Sequence, residues 1–241
     1  MKVKKKVLLW FLVIVIFLVA CLLFVYQNYI GVSDFKIKDE SSNIAEAKKK
    51  EENVVGWLRV EGTNIDLPLL ERDNTLDVSV KDYNFAWTNS YPDEKSNHFT
   101  FISHNIRNVS SNPIIGDDEM NYFEQLMAFI YSDFVKENQF IEFTGPTGET
   151  SIYRIYGVAL VDETQSMSYY DTFSKEELEE YIKKSKDESM YNIDVDVDSD
   201  DMLLTLYTCT RFYGGGGTYS FRVDARELRE GEKMKYSTVE T

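Results

Sequence analysis

Residues 204–222 read LTLYTCTRFYGGGGTYSFR. Leu, Tyr and Thr dominate a first apolar run, four glycines follow, and a second run then alternates. This predicts two strands, MLLTLYTC (202–209) and TYSFRVDAR (218–226), joined by a glycine-rich connection. The first strand ends on Cys209. The other cysteine, Cys21, sits in the apolar segment LVACLLF near the N-terminus, so no internal disulfide between the two is expected. A lone thiol at a strand end is a buried inert residue, an intermolecular bridge or a reactive nucleophile.

The compartment bears on that choice. The chain opens MKVKKK and continues VLLWFLVIVIFLVACLLFVYQNYI, so Val7 to about Tyr26 is an uncharged apolar run of bilayer-spanning length. A cleavable signal peptide would have a shorter apolar region followed by small residues, whereas bulky residues follow here. The run therefore reads as an uncleaved anchor. Lys2, Lys4, Lys5 and Lys6 precede it, which places the N-terminus in the cytoplasm and the chain from about residue 31 outside a cell membrane crossed once. The formal net charge is −15. A surface so acidic repels nucleic acid, which is excluded as a partner.

Outward from the glycine-rich connection, the pattern of short strands and turns repeats. VVGWLRVEGTNIDLPLL (54–70) predicts two strands about a turn at Gly62 to Asn64. HFTFISH (98–104) predicts a strand ending at His104, and residues 71–97 before it read as polar and irregular. QFIEFTG and TSIYRIYGVALV predict a hairpin around 145–148. Three segments carry helical signals. SSNIAEAKKKEEN (41–53) has Asn43 three before Glu46, the spacing of a capped, solvated helix serving as stalk or cover. MNYFEQLMAFIYSDFVKEN (120–138) places Tyr122, Phe123, Leu126, Met127, Phe129 and Ile130 close to a helical stripe. TFSKEELEEYIKKSKDES (172–189) carries a capping box, Ser174 with Glu177, and a hydrophobic staple, Phe173 with Leu178. The fold class is mostly β: an antiparallel barrel or sandwich with peripheral helices. The expected divisions are a basic stub (1–6), an anchor (7–30), a stalk (31–53), a catalytic domain (54–230) and a polar tail (231–241).

The chain has two histidines, His98 and His104. A thiol is mostly protonated at neutral pH and needs a base to become a nucleophile, and His104 ends its strand much as Cys209 does. Attack on a carbonyl builds negative charge on oxygen, which an arginine can stabilise. Arg211 and Arg222 flank the cysteine. The glycines 214–217 read as a connection needing positive φ rather than a phosphate cradle, because no helix follows them. Asp194, Asp196, Asp198 and Asp200 alternate as in a calcium loop, but Ser199 and Thr205 stand where such a loop needs glycine and glutamate, so the segment reads as a solvated acidic turn. His98 reads as a surface strand residue, and Trp57 and Trp87 as packing residues.

TLYTC (205–209) resembles the TLxTC pattern of sortases, and FISHN around His104 is similar to the strand-end histidine of that family. VVGWLRVEGTNIDLP (54–68) resembles the opening strands of class B sortases, and the 174–187 helix lies where that class carries an extra helix. The resemblance covers roughly residues 45–228. It implies a closed eight-stranded barrel and a membrane-bound cysteine transpeptidase on a Gram-positive surface. Such an enzyme cleaves the sorting motif of a surface protein or pilin, holds the acyl fragment on cysteine, and passes it to an amine of a cell-wall precursor or a pilin lysine. The resemblance implies Cys209 as nucleophile and His104 as acid/base. The arginine carries over less directly, since Ser220 stands where strand alignment puts it; Arg222 is preferred and Arg211 is the alternative. No cofactor or metal is implied. Two other readings stay open: a cysteine peptidase transferring to water, disfavoured because His104 precedes Cys209, and a degenerate sortase-like scaffold or pilus-assembly partner.

Overall fold

The computed structural model describes residues 2–29, 31–71, 84–88, 91, 95–105, 122–162, 172–210 and 219–241. The chain divides into two compact units, Met1–Asp34 and Phe35–Thr241. The first is built on helix α1 (Lys2–Tyr29). Its side chains are described from Trp10 to Leu23 and at Val25, and all of these are exposed, Trp10, Phe17 and Leu22 among them. Among the described residues no helix is long and apolar enough to cross a membrane.

The second unit is a closed barrel of eight strands: β1 (Val54–Val60), β2 (Asp66–Glu71), β3 (Ala86–Thr88), β4 (His98–Ile102), β5 (Phe140–Thr144), β6 (Thr150–Asp162), β8 (Leu203–Thr210) and β9 (Tyr219–Glu227). Around the barrel they run β1-β2-β3-β4-β8-β9-β6-β5. A separate two-stranded sheet pairs β7 (Asn192–Ile193) with β10 (Val239–Glu240). Most barrel contacts are antiparallel, but β2–β3 and β4–β8 are parallel. Parallel neighbours end at the same rim, so the β4–β8 pair sets the position of the site.

Local chemistry accounts for much of this. Gly62 takes φ +72° in the β1–β2 turn, a conformation that a Cβ strains. At Gly56 a Cβ would meet the Phe143 ring at 2.5 Å and the Thr144 carbonyl oxygen at 2.6 Å, so glycine lets β1 lie close against β5. Leu58, Leu69, Phe101, Phe143, Leu206, Phe221 and Val223 are buried in one apolar cluster, with the Phe101 and Phe143 ring centroids 4.9 Å apart. Full burial of such side chains contributes about 1.5–3 kcal/mol each.

Helix α4 (Lys175–Glu188) begins as the sequence predicts: the Ser174 hydroxyl accepts from Glu177 N, and the Glu177 side chain accepts from Ser174 N. Phe173 and Leu178 are both buried. Helix α2 differs from the expectation. It spans Ser41–Lys50 with Glu40 at its N-cap and no side-chain cap bond. Only the cap differs: the helix is otherwise solvated and serves as the cover, with Ile44 and Ala47 packed against Val54, Leu70, Phe85 and Trp87 and the rest of its residues exposed.

The single helix expected over 120–138 is instead a 3-10 helix (Glu124–Ile130) and α3 (Ser132–Glu137), separated by Tyr131 in extended conformation. The Tyr191 hydroxyl donates to the Ile130 carbonyl, and every residue of the 3-10 segment is buried, so burial on all sides displaces the one-sided stripe. Strand β3 arises inside the segment read as irregular. The polar C-terminal residues are pinned: Gln139 bonds both the N–H and the carbonyl of Ser237, and Glu232 accepts from Arg154 and Arg226. The hydrogen bonds from Arg226 hold the Glu232 carboxyl down at about 2, against an ordinary 4.5.

Candidate active site

The β4–β8 register pairs His98 with Leu203 and Ile102 with Tyr207. Beyond the ladder, Ser103 N donates to the Tyr207 carbonyl at 3.3 Å and Thr208 Oγ1 to the Ser103 carbonyl at 2.8 Å. These bonds keep the two strands together just past Ile102, and the same register carried two residues further would set His104 opposite Cys209. Cys209 is exposed and His104 half-buried. The imidazole lies between two rings, Trp87 at 4.8 Å and Tyr122 at 5.6 Å between centroids. Its backbone is also fixed, since the His104 carbonyl accepts from Phe123 N at 2.9 Å. A thiol and an imidazole at adjoining strand ends can pass a proton between them.

Of the two arginines, Arg211 and the glycines 214–217 lie outside the described residues. Arg222 lies on β9, where Ser220 is the ladder partner of Cys209 and Arg222 that of Tyr207. Because side chains alternate along a strand, Arg222 shares the face of Cys209, one diagonal step away. It is not exposed beside the thiol. Arg222 is 0% accessible; its Nε donates to Asp224 Oδ2 at 2.7 Å and its Nη1 to Glu188 Oε2 at 3.0 Å.

Under α4 these groups belong to a buried polar network. Asp224 Oδ1 accepts from Thr205 Oγ1 at 2.8 Å and from the Tyr181 hydroxyl at 3.1 Å, and its Oδ2 from Ser185 Oγ at 2.5 Å. Burial, reinforced by the Asp224 charge, pushes the Tyr181 hydroxyl well above its ordinary range, which keeps it a donor. His98 Nε2 lies 2.9 Å from Thr205 Oγ1, and its ring packs against Phe173 and Tyr181. His98 is thus fully buried, against the surface position expected for it. The strand alternation alone does not show that α4 covers this face. The signal overlooked is the alternation Arg222, Asp224, Arg226, three charges on one face of a strand whose other face carries Phe221, Val223 and Ala225.

The acidic segment is also not merely solvated. Arg229 donates to Asp196, Asp198 and Asp201 at 2.8–3.0 Å, filling the space between these carboxylates with its own charge. Among the described residues no group of His, Cys, Asp and Glu is arranged to hold a metal ion.

No family model matches the sequence. Two curated relatives do: sortase B of Staphylococcus aureus, 24% identical over 173 residues (69% of this chain, 67% of the relative), and sortase B of Listeria monocytogenes, 27% identical over 183 residues (72% and 68%). In sequence and in barrel the chain is similar to the class B sortases. It is a sortase-type cysteine transpeptidase. Solved sortases share the barrel: that of Clostridium perfringens has a TM-score of 0.61 at 23% identity, covering 77% of this chain and 99% of its own. A sortase B solved in complex with triglycine has a TM-score of 0.59 at 17% identity, covering 86% and 92%.

Proposed function

We propose that this sortase is anchored by α1, with its N-terminus cytoplasmic and its barrel outside the cell, and joins surface proteins or pilins to an amine through a thioacyl intermediate on Cys209. His104 takes the thiol proton, the thiolate adds to the scissile carbonyl of a C-terminal sorting motif, and Arg222 offsets the charge on the oxyanion. The C–N bond breaks, His104 gives its proton to the leaving amine, and a thioester remains. An acceptor amine then adds to the thioester and gives a proton to His104, and the C–S bond breaks as the sulfur takes that proton back, restoring the cysteine. The triglycine complex of the relative supports a glycine-type amine of a cell-wall precursor as acceptor; a pilin lysine has the same chemistry.

One observation supports this reading: β4 and β8 run parallel with Ile102 opposite Tyr207, a register that, extended two residues, would set His104 opposite Cys209, which is exposed. The anchor rests on the apolar run in the sequence, to which the exposed side chains of α1 add support.

The test uses the full-length protein in detergent with a panel of fluorogenic peptides carrying candidate sorting motifs, and triglycine or hydroxylamine as acceptor. Amine-stimulated turnover, an acyl adduct on Cys209 in the mass spectrum, and loss of both in Cys209→Ala are expected. Turnover indifferent to the amine, or an adduct elsewhere, overturns the reading. For the anchor, protease added to intact cells should cleave the barrel and spare the N-terminal stub.

A further inference from the structure

Arg222 is costly where it stands. A guanidinium removed from water must be paired, and replacing a buried ion pair by well-packed apolar groups is often neutral or stabilising, so stability alone is a weak reason to keep one. Here it is gripped twice, by carboxylates from two different elements. Asp224 takes Nε from the same strand, and Glu188, the last residue of α4, takes Nη1. One carboxylate is enough to balance the charge. Two at different nitrogens also fix the rotation of the planar group.

Asp224 approaches from the side away from the thiol. The ladder partner of Asp224 is Thr205, two residues before Tyr207 and therefore on the side of Arg222 away from Cys209. Asp224 is itself immobilised, because its two oxygens accept from Arg222, Ser185, Thr205 and Tyr181, which come from β9, α4 and β8. A carboxylate with every bond satisfied cannot turn without breaking several at once.

We propose that Asp224 and Glu188 are positioning residues, which hold the Arg222 guanidinium at two nitrogens in the orientation that the oxyanion requires, with α4 supplying one half of the grip. The proposal rests on the reading of Cys209, His104 and Arg222 as the reacting groups. It adds that α4 is part of the catalytic apparatus through its final residue, although none of its side chains need touch substrate. Preorganisation of this kind acts on the transition state, so its loss should lower kcat and leave KM nearly unchanged.

The experiment compares Glu188→Gln, Asp224→Asn, Arg222→Lys and Arg222→Ala in the full-length protein, with the peptide that the wild type cleaves fastest and triglycine as acceptor. Glu188→Gln and Asp224→Asn should each lower kcat by about 10- to 100-fold, the scale of a small misplacement of a catalytic group. KM should stay within about twofold of wild type, since ground-state binding is untouched. Glu188→Gln placed in the Arg222→Lys background should cause no further loss, because residues that act through one group are not additive. If Asp224→Asn does not fold, Glu188→Gln decides, since that side chain is about a third exposed. Wild-type turnover in Arg222→Ala would refute the role of Arg222 itself. An inactive Arg222→Ala beside unchanged or raised kcat in Glu188→Gln would refute the positioning role alone.

Discussion

Thr205 Oγ1 lies 2.8 Å from Asp224 Oδ1, across the ladder rung that pairs their two strands. The same hydroxyl also meets His98 Nε2 and the Tyr181 hydroxyl, so one small side chain inside TLYTC joins β4, β8, β9 and α4. Thr205→Val keeps the shape and removes the hydroxyl, leaving buried partners unsatisfied. It should destabilise the fold by about 1–3 kcal/mol, read as a lower urea midpoint at unchanged m-value.

Trp87 is buried at 4% accessibility and packs against His104. Trp87→Phe should retain most activity. Trp87→Ala should cost about 3–5 kcal/mol of stability and lower kcat as the imidazole loses a wall. Thermal melts and steady-state kinetics on both variants check this, and equal kcat in the two would show that the ring does not orient His104.

Glu232 gives the stability of the fold a pH dependence with a definite sign. Its carboxyl is depressed to about 2 in the folded chain, from an ordinary 4.5, chiefly by Arg226. The unfolded chain therefore binds the proton first, so the contribution is fully present above about pH 4.5 and is lost as pH falls toward 2. Glu232→Gln should melt below wild type at pH 6, and the gap should narrow through that window.

At the start of α4, Ser174→Ala removes the oxygen that accepts from Glu177 N. A loss of about 1 kcal/mol is expected. Because the other end of the helix carries Glu188, hydrogen exchange should show whether fraying stays within the first turn, as a local cap effect requires.

Elements specified by neighbours in sequence were readable from it. The β5–β6 hairpin, the Gly62 turn and the Ser174 capping box depend on residues only a few positions apart. The placement of Cys209 near the end of β8 was readable too, whereas β4 stops at Ile102, two residues short of the expected end at His104. What was hidden depends on partners far along the chain. Strand β3 has three residues, too few for any period, and forms by parallel pairing with β2. His98 looks like a surface residue until α4, contributed by residues 175–188, is laid over it. The 120–138 stripe suits a helix, and it takes the hydroxyl of Tyr191 to show why it breaks at Tyr131.

The pairing of β4 with β8 joins groups such as Ser103 and Thr208 that are 105 residues apart in the chain. Contacts between such distant segments form slowly, because a long loop must close before they give any return. During biosynthesis the histidine emerges long before the thiol, and the two cannot meet until β8 and β9 have left the ribosome and the barrel has shut. On the roles proposed for Cys209 and His104, a nascent or truncated polypeptide lacks the assembled pair, and reactivity would arrive only with completion of the fold.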